Sequence, residues 1–270
     1  LSCRMILSRF LRFWKVKTVL AVSDLSSDWM RPDVGVMGVE ILSTTRLGGV
    51  SSGCYEGLNL GDHVLDDPEC VRENRARLAA QLPDETTITW LTQVHGSRVI
   101  YAPADYALGV QADAVWTDTP GWACAIMTAD CLPIVLADQD GRCVAAIHGG
   151  WRSLADQIIE KTIEALPVEP SSLVAWLGPA IGPSVFVVGG DVLAAFYLSE
   201  QDLSVHAIPG TPEKYFLDLN IVAGRQLLAL GLQPENITGG DCCTFLDARR
   251  FYSYRRDKQT GRMATLIYFT

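Results

Sequence analysis

Three side chains able to bind a soft or borderline metal stand where apolar runs give way to loops. His95 closes Thr92-Gln93-Val94-His95-Gly96. Cys131 sits within Thr128-Ala129-Asp130-Cys131-Leu132-Pro133. His148 closes Ala145-Ala146-Ile147-His148-Gly149-Gly150-Trp151. Strand ends are where sheet proteins place their sites, because the sheet fixes position and the loop exposes the group. Two His and one Cys suit Zn2+ and leave a fourth tetrahedral position open, the catalytic arrangement. Such an ion lowers the pKa of bound water to about 7. Three other readings of the same residues stay open. The gaps of 36 and 17 residues match no local zinc motif, and a free Cys between apolar strands is commonly a small buried hydrophobe. His2Cys with the nearby Met127 as a weak axial ligand would be a blue-copper set. Cys131 with His148 would be a thiol nucleophile and its base.

Composition narrows the field. The 270 residues carry 22 Lys plus Arg against 31 Asp plus Glu, a net charge of −9. An acidic chain with no basic block is a poor nucleic-acid binder, since phosphate contacts need clustered cations. No apolar run approaches the ~18–20 residues of a membrane helix, so no membrane partner is expected. Four His exclude any mechanism that needs many imidazoles. Eight Cys without a CxxC or a paired framework read as reduced thiols, hence a cytoplasmic protein. There is no G-x-G-x-x-G after a strand, no P-loop, no H-E-x-x-H and no G-x-S-x-G. Residues 1–24 hold Arg4, Arg9, Arg12, Lys15 and Lys17 against Asp24, with no apolar core for a secretory signal. They are expected to be an N-terminal extension, disordered or a mis-assigned start. The remaining 246 residues carry 17 bases and 30 acids, a net charge of −13.

The elements that must position these residues alternate β and α. Strands are expected at Gly38–Thr45, Ile88–Val94, Ala112–Thr117, Trp122–Thr128, Pro133–Asp138, Arg142–Ile147, Leu173–Leu177, Phe251–Tyr254 and Met263–Phe269. The central ones are short and apolar, as strands buried on both faces are. Asp67-Pro68-Glu69 is a helix start with Asp as cap and Pro at the first helical position, running to Gln81. Leu154, Ile158, Ile159, Ile163 and Leu166 fall at helical spacing, which predicts one amphipathic helix over Leu154–Leu166. Further helices are expected at Asp191–Leu198 and Asp218–Leu230. The Gly- and Ser-rich stretch Ser43–Asp62 reads as a long shaped loop. Cys124, Cys143, Cys242 and Cys243 read as core or supporting residues, His63 as a loop histidine near the site and His206 as surface. Mixed strands and helices in one chain without a linker predict an α/β or α+β domain.

Several segments together carry a family resemblance. They are Thr45-Arg46-Leu47-Gly48-Gly49-Val50-Ser51, Leu58-Asn59-Leu60-Gly61-Asp62-His63, Gln93-Val94-His95-Gly96, Thr128 to Pro133, and His148-Gly149-Gly150-Trp151-Arg152. Trp176 to Pro183, Ser253-Tyr254-Arg255-Arg256-Asp257 and Thr260-Gly261-Arg262-Met263 complete the set. Over residues 28–270 the chain resembles the YfiH family, also called the laccase-domain or multicopper polyphenol oxidoreductase family and in places peptidoglycan editing factor. The resemblance implies a single-domain, four-layer αββα sandwich with mixed sheets over residues 25–270. It implies metal ligands His95, Cys131 and His148, for Zn2+, with Cu2+ uptake possible in vitro. It implies a purine nucleoside phosphorylase acting on adenosine, inosine and methylthioadenosine, with adenosine deaminase activity besides. The partners would be nucleoside and phosphate, in a monomer or small homo-oligomer.

Within that reading Cys131, His148 and Asp130 are the expected catalytic residues. Asp130 could protonate the leaving purine or orient a ligand His. Phosphate needs cationic partners, and Arg46 in the Gly-rich loop is the first choice, with Arg152 and Arg255 or Arg256 behind it. Asn59 could hydrogen-bond base or ribose. Many members carry Phe-Glu-Val-Gly where this chain has Phe186-Val187-Val188-Gly189, which puts substrate range or rate in question. A true laccase needs a mononuclear copper plus a trinuclear cluster, and four His do not supply them. The alternatives are a Cys-His hydrolase or amidase editing peptidoglycan precursors, a copper-binding polyphenol oxidase, and a metal-binding protein without turnover.

Overall fold

A computed structural model describes residues 28–270, so the expected extension at 1–24 lies outside the described residues. Three long strands set the architecture through their alternation. In β5 (Trp122–Thr128), Ala123 and Ala125 face one side and Cys124 and Ile126 the other. In β6 (Leu132–Asp138), Ile134 and Leu136 oppose Val135 and Ala137. In β13 (Met263–Phe269), Leu266 and Tyr268 oppose Ile267. Each strand is therefore apolar on both faces and must be covered twice.

Two mixed sheets satisfy this demand. The first has the order β1 (Val39–Ser43), β13, β5, β2 (Thr87–Thr89). The second runs β12 (Ile237–Gly239), β8 (Leu173–Leu177), β6, β7 (Val144–Gly149), β4 (Ala114–Thr117), β3 (Val99–Tyr101). Their inner faces meet through Ile41, Cys124, Ile126 and Ile267 on one side and Val135, Ala137, Val144 and Ala146 on the other. Helix α1 (Pro68–Ala79) covers the outer face of the first sheet with Leu78. Helices α2 (Trp151–Ala155), α3 (Ile158–Ala165) and, further along, α5 (Leu219–Ala229) cover the second through Leu154, Ile158, Ile159, Ile163, Val222 and Leu227. The result is the αββα sandwich, one compact domain. A third, antiparallel sheet joins its flank, ordered β10 (Val205–Ala207), β11 (Lys214–Leu217), β9 (Val187–Gly189), with α4 (Gly190–Ala195) following β9. Among the described residues no helix is long and apolar enough to cross a membrane.

Capping chemistry sets the helix starts. The Asp67 carboxylate accepts from Glu69 N at 2.9 Å, and Asp218 accepts from Asn220 N and Ile221 N at 2.9 and 3.2 Å. The predicted helix over Leu154–Leu166 is broken in two. Gln157 takes a left-handed φ of 61°, which redirects the axis while every apolar residue of the stripe stays buried. The expected strand Ile88–Val94 survives only as β2. Beyond it the Gln93 side-chain amide replaces a strand neighbour, accepting from Met127 N and donating to Met127 O, both at 2.8 Å. The expected strand Phe251–Tyr254 is instead a buried approach to a short helix, α6 (Tyr254–Asp257), because the Ser253 hydroxyl accepts from Arg256 N at 3.2 Å.

Candidate metal centre

The two sheets touch at one end, where β5 of the first passes into β6 of the second through Ala129, Asp130 and Cys131. The β6–β7 register sets Pro133 opposite His148, so the turn carrying Cys131 meets the end of β7. The loop after β2 delivers His95 to the same place. The ligand atoms of His95, Cys131 and His148 all lie within 4.8 Å of one another. Cys131 Sγ is 3.8 Å from His95 Nε2. Tetrahedral zinc with Zn–N and Zn–S bonds of ordinary length holds its ligand atoms about 3.3–3.6 Å apart; the Cys131–His95 pair is close to that spacing, and the group as a whole, spread over up to 4.8 Å, would draw in around an ion.

The space for an ion is kept open by Gly150. A Cβ at that position would stand 3.0 Å from His95 Cδ2, 3.4 Å from Cys131 Sγ and 3.5 Å from His148 Cε1. Any side chain there would fill the cradle between the three groups.

Asp113 organises the centre, and the sequence reading passed over it. It is fully buried beside β4. Its Oδ1 accepts from His148 Nδ1 at 2.8 Å and His95 N at 2.9 Å, and its Oδ2 accepts from Gly96 N at 2.8 Å and Val94 N at 3.2 Å. Its carbonyl accepts from His148 N at 2.7 Å. One carboxylate thus folds the His95 loop and fixes the His148 ring, leaving Nε2 for the centre. A charged residue inside the otherwise apolar run Ala112–Val115 was the signal that could have found it.

Electrostatics follow from burial and contact. Burial pushes the Cys131 thiol up, but the His148 charge and hydrogen bonds from His148 and His95 outweigh it and bring the thiol down to about 6. Burial pushes His148 down, but the facing thiolate and the Asp113 hydrogen bond raise it to about 9. Asp113 is held below the usual carboxylate range: burial opposes this, and His148 with the backbone N–H groups of Gly96 and Val94 prevails. Cys143, by contrast, is driven up to about 12 by burial first and Asp138 second, as an inert core thiol should be.

The other predicted residues are placed differently. The Asp130 carboxylate is already held, accepting from the Thr244 hydroxyl and from Arg255 N, both at 2.6 Å. It orients no ligand histidine; that position belongs to Asp113. Arg46 stacks on Tyr252 and donates to the carbonyls of Glu56 (3.3 and 3.2 Å) and Ala248 (3.2 Å), so its guanidinium ties loops together. Asn59 is fully buried and saturated: its Oδ1 accepts from Gly61 N and Arg262 N, and its Nδ2 donates to Gly61 O and Asp66. Asn59 therefore keeps no free polar group for base or ribose. Arg255 donates to Val187 O at 2.9 Å and lies over Phe186, while Arg256 serves the carbonyls of Thr244, Phe245 and Phe251. Arg152 is exposed and lies over Trp151. Met127 sends its sulfur toward Arg75 Nη2, 4.0 Å away, and lies outside the His-Cys-His group. His63 stands beside Asp62, and His206 is exposed on β10.

Residues 40–270 match the family described as multi-copper polyphenol oxidoreductase laccase. A Pseudomonas aeruginosa protein named purine nucleoside phosphorylase is 45% identical over 245 residues, covering 90% of this chain and 97% of that one. The Escherichia coli protein named purine nucleoside phosphorylase YfiH is 44% identical over 242 residues, covering 89% and 96%. Among solved structures, a Neisseria meningitidis protein matches with a TM-score of 0.85 at 41% identity, covering 90% and 99% of the two chains. A Bacillus licheniformis protein called hypothetical protein YfiH matches with a TM-score of 0.81 at 28% identity, covering 86% and 93%.

Proposed function

The chain belongs to the family described as multi-copper polyphenol oxidoreductase laccase, and on that premise we propose that it is a zinc-dependent purine nucleoside phosphorylase. Its substrates are adenosine, inosine or methylthioadenosine with phosphate, its products the free base and ribose 1-phosphate, and adenosine deamination is a side activity. The observation that carries this reading is the His95, Cys131, His148 trio around the space left by Gly150, with Asp113 behind it. The phosphorylase names of relatives 45% and 44% identical support the reaction class.

The donor set fits a divalent ion of borderline softness. Bound there, Zn2+ supplies Lewis acidity toward an oxygen of phosphate, ribose or water, the last being what deamination at adenine C6 requires. The protein's own part is positional. Asp113 keeps the His148 proton on Nδ1 and turns Nε2 to the centre. Asp130 acts as a positioning residue, tying the Cys131 turn to Thr244 and to the start of α6. The four-copper oxidase implied by the family's description lacks ligands, since the chain has four His and the described residues bring only this one group together.

One observation favours a second reading. A thiol brought to about 6 by His148 is a competent nucleophile, as a Cys-His hydrolase acting on peptidoglycan precursors would need. Incubation with adenosine and phosphate separates the two. Adenine and ribose 1-phosphate formed by the zinc-loaded protein, and lost in Cys131→Ala with an unchanged circular dichroism spectrum, support the phosphorylase. No product from any of the three nucleosides at one equivalent of Zn2+ overturns it. Amidase turnover that survives chelation and stops on alkylation establishes the hydrolase.

A further inference from the structure

One further arginine, Arg262, runs beside the turn that carries Cys131. β13 pairs with β5 so that Met263 faces Thr128. The residue before Met263, Arg262, therefore runs alongside the Ala129–Cys131 turn. Its side chain lies down over Gly61, where a Cβ would come 2.8 Å from Arg262 Cγ. Its backbone N donates to Asn59 Oδ1 at 2.9 Å, and its Nη1 donates to the carbonyls of Thr260 and Gly261 at 2.9 and 3.0 Å. These contacts fix the guanidinium from one side only. Nε and Nη2, the two donors of a bidentate edge, have no protein acceptor among the described residues, and no carboxylate there stands within ion-pair distance.

Three other arginines are matched by carboxylates. Arg75 pairs with Asp62 at 3.2 Å, Arg250 with Asp247 at 2.6 Å and Arg256 with Asp257 at 2.8 Å. Arg262 is half-buried, and its unpartnered Nε–Nη2 edge is not among the sealed polar atoms, so it stays open to an incoming anion. Burial lowers its proton affinity, and the charges that oppose this are first Cys131 and then Asp130, which places it within electrostatic reach of the centre. The Asp130 oxygens are occupied by Thr244 and Arg255 N. A cation on Cys131 would use the thiolate charge and leave Arg262 short of anions.

We propose that Arg262 is the phosphate anchor of this centre, presenting its Nε–Nη2 edge to an oxyanion held beside Cys131. Planar, bidentate recognition of phosphate is what an arginine held in this way offers. The proposal rests on the phosphorylase reading for the identity of the anion.

Two measurements test it independently of each other. In the zinc-loaded wild type, phenylglyoxal modification is mapped by mass spectrometry with and without millimolar inorganic phosphate. Arg262 is expected to be the arginine that phosphate protects. Protection confined to Arg152 or Arg46, or none, overturns the proposal. In steady-state phosphorolysis, Arg262→Gln is expected to raise the phosphate KM roughly 10- to 150-fold, the loss of a charge-assisted hydrogen-bond pair, while nucleoside KM and zinc content stay the same. A folded Arg262→Gln with an unchanged phosphate KM overturns it. If that variant does not fold, Arg262→Lys replaces it, and a phosphate KM equal to wild type is then the refuting result. Protection of Arg262 in a protein with no phosphorolysis would sink the phosphorylase reading and leave the anchor standing. Phosphorolysis without protection would do the reverse.

Discussion

Asp113→Asn changes one atom and tests the whole arrangement of the centre. Both Asp113 oxygens are acceptors, Oδ1 for His148 Nδ1 and His95 N, Oδ2 for Gly96 N and Val94 N. An asparagine keeps only one acceptor. If its oxygen stays at the Oδ1 position, its NH2 faces the N–H groups of Gly96 and Val94, and two partly buried backbone donors lose their partner. At about 1 kcal/mol for each, the low end for an unsatisfied group because both are only partly buried, the cost is about 2 kcal/mol. If the amide flips, its NH2 donates to His148 Nδ1, moves the imidazole proton to Nε2 and removes a ligand atom. In that flipped case metal affinity should fall roughly 10- to 100-fold, the usual effect of removing a ligand's hydrogen-bond partner. Denaturant unfolding of the metal-free protein reads the first quantity, and zinc titration against a chromophoric chelator reads the second. An Asn variant within about 0.5 kcal/mol of wild-type stability, the range of an ordinary surface change, and with unchanged zinc affinity would refute the role assigned to Asp113.

Gly150→Ala should lose metal while keeping its fold. Gly150 has φ −64° and ψ 150°, which alanine adopts freely, but its Cβ would stand among the three ligands; zinc content by mass spectrometry should drop and the melting temperature of the metal-free protein should hold. Iodoacetamide alkylation of Cys131 in the metal-free protein should rise through about pH 6, because the thiol is depressed to that value, and should level off well below the range of an ordinary thiol near 8.5. The sign for stability is the same: the thiolate contribution is complete above the unfolded thiol pKa and is lost as pH falls through about 6, while that of His148 is complete below 6.5 and is lost as pH rises through about 9. Stability of the metal-free protein followed against pH checks both limbs. Asn59→Ala should lower stability by several kcal/mol through its buried, saturated amide, with the nucleoside KM of whatever folds unchanged.

The strands buried on both faces were legible from the sequence, and Trp122–Thr128, Leu173–Leu177 and Met263–Phe269 stand where the apolar runs put them. Nothing in a run of apolar residues needs knowledge of a distant partner. The flanking sheet was not legible for the opposite reason. Val187–Gly189, Val205–Ala207 and Lys214–Leu217 are short, partly polar and stabilised by pairing with one another across the chain. The same distinction separates the site residues. His95, Cys131 and His148 drew notice because each stood at an expected strand end or between two strands; the structure brings the three together, but His95 sits on the loop after β2. Arg46 and Asn59 looked available because a sequence does not show which carbonyls and amides will saturate a polar side chain. Arg262 lies inside Thr260-Gly261-Arg262-Met263, and only the β13–β5 register shows which turn it accompanies.

The acidity of the domain takes on a local meaning at this centre. His95 has φ 59° and Asp130 has φ 101°, both in the left-handed region that favours glycine, at a cost of order 1–3 kcal/mol each. Each strained turn is clamped by an aspartate. Asp113 gathers three consecutive N–H groups around His95, and Asp130 spends its own carboxylate on Thr244 and Arg255 N to fix the turn before Cys131. Carboxylates do this well because a charged acceptor makes stronger hydrogen bonds to backbone N–H than a neutral one. A search for the site among bases and nucleophiles therefore finds the ligands but not what holds them. Strand ends supply Cys131 and His148, a loop supplies His95, and buried acids set the geometry, while Arg262 beside them keeps its Nε–Nη2 edge without a protein acceptor.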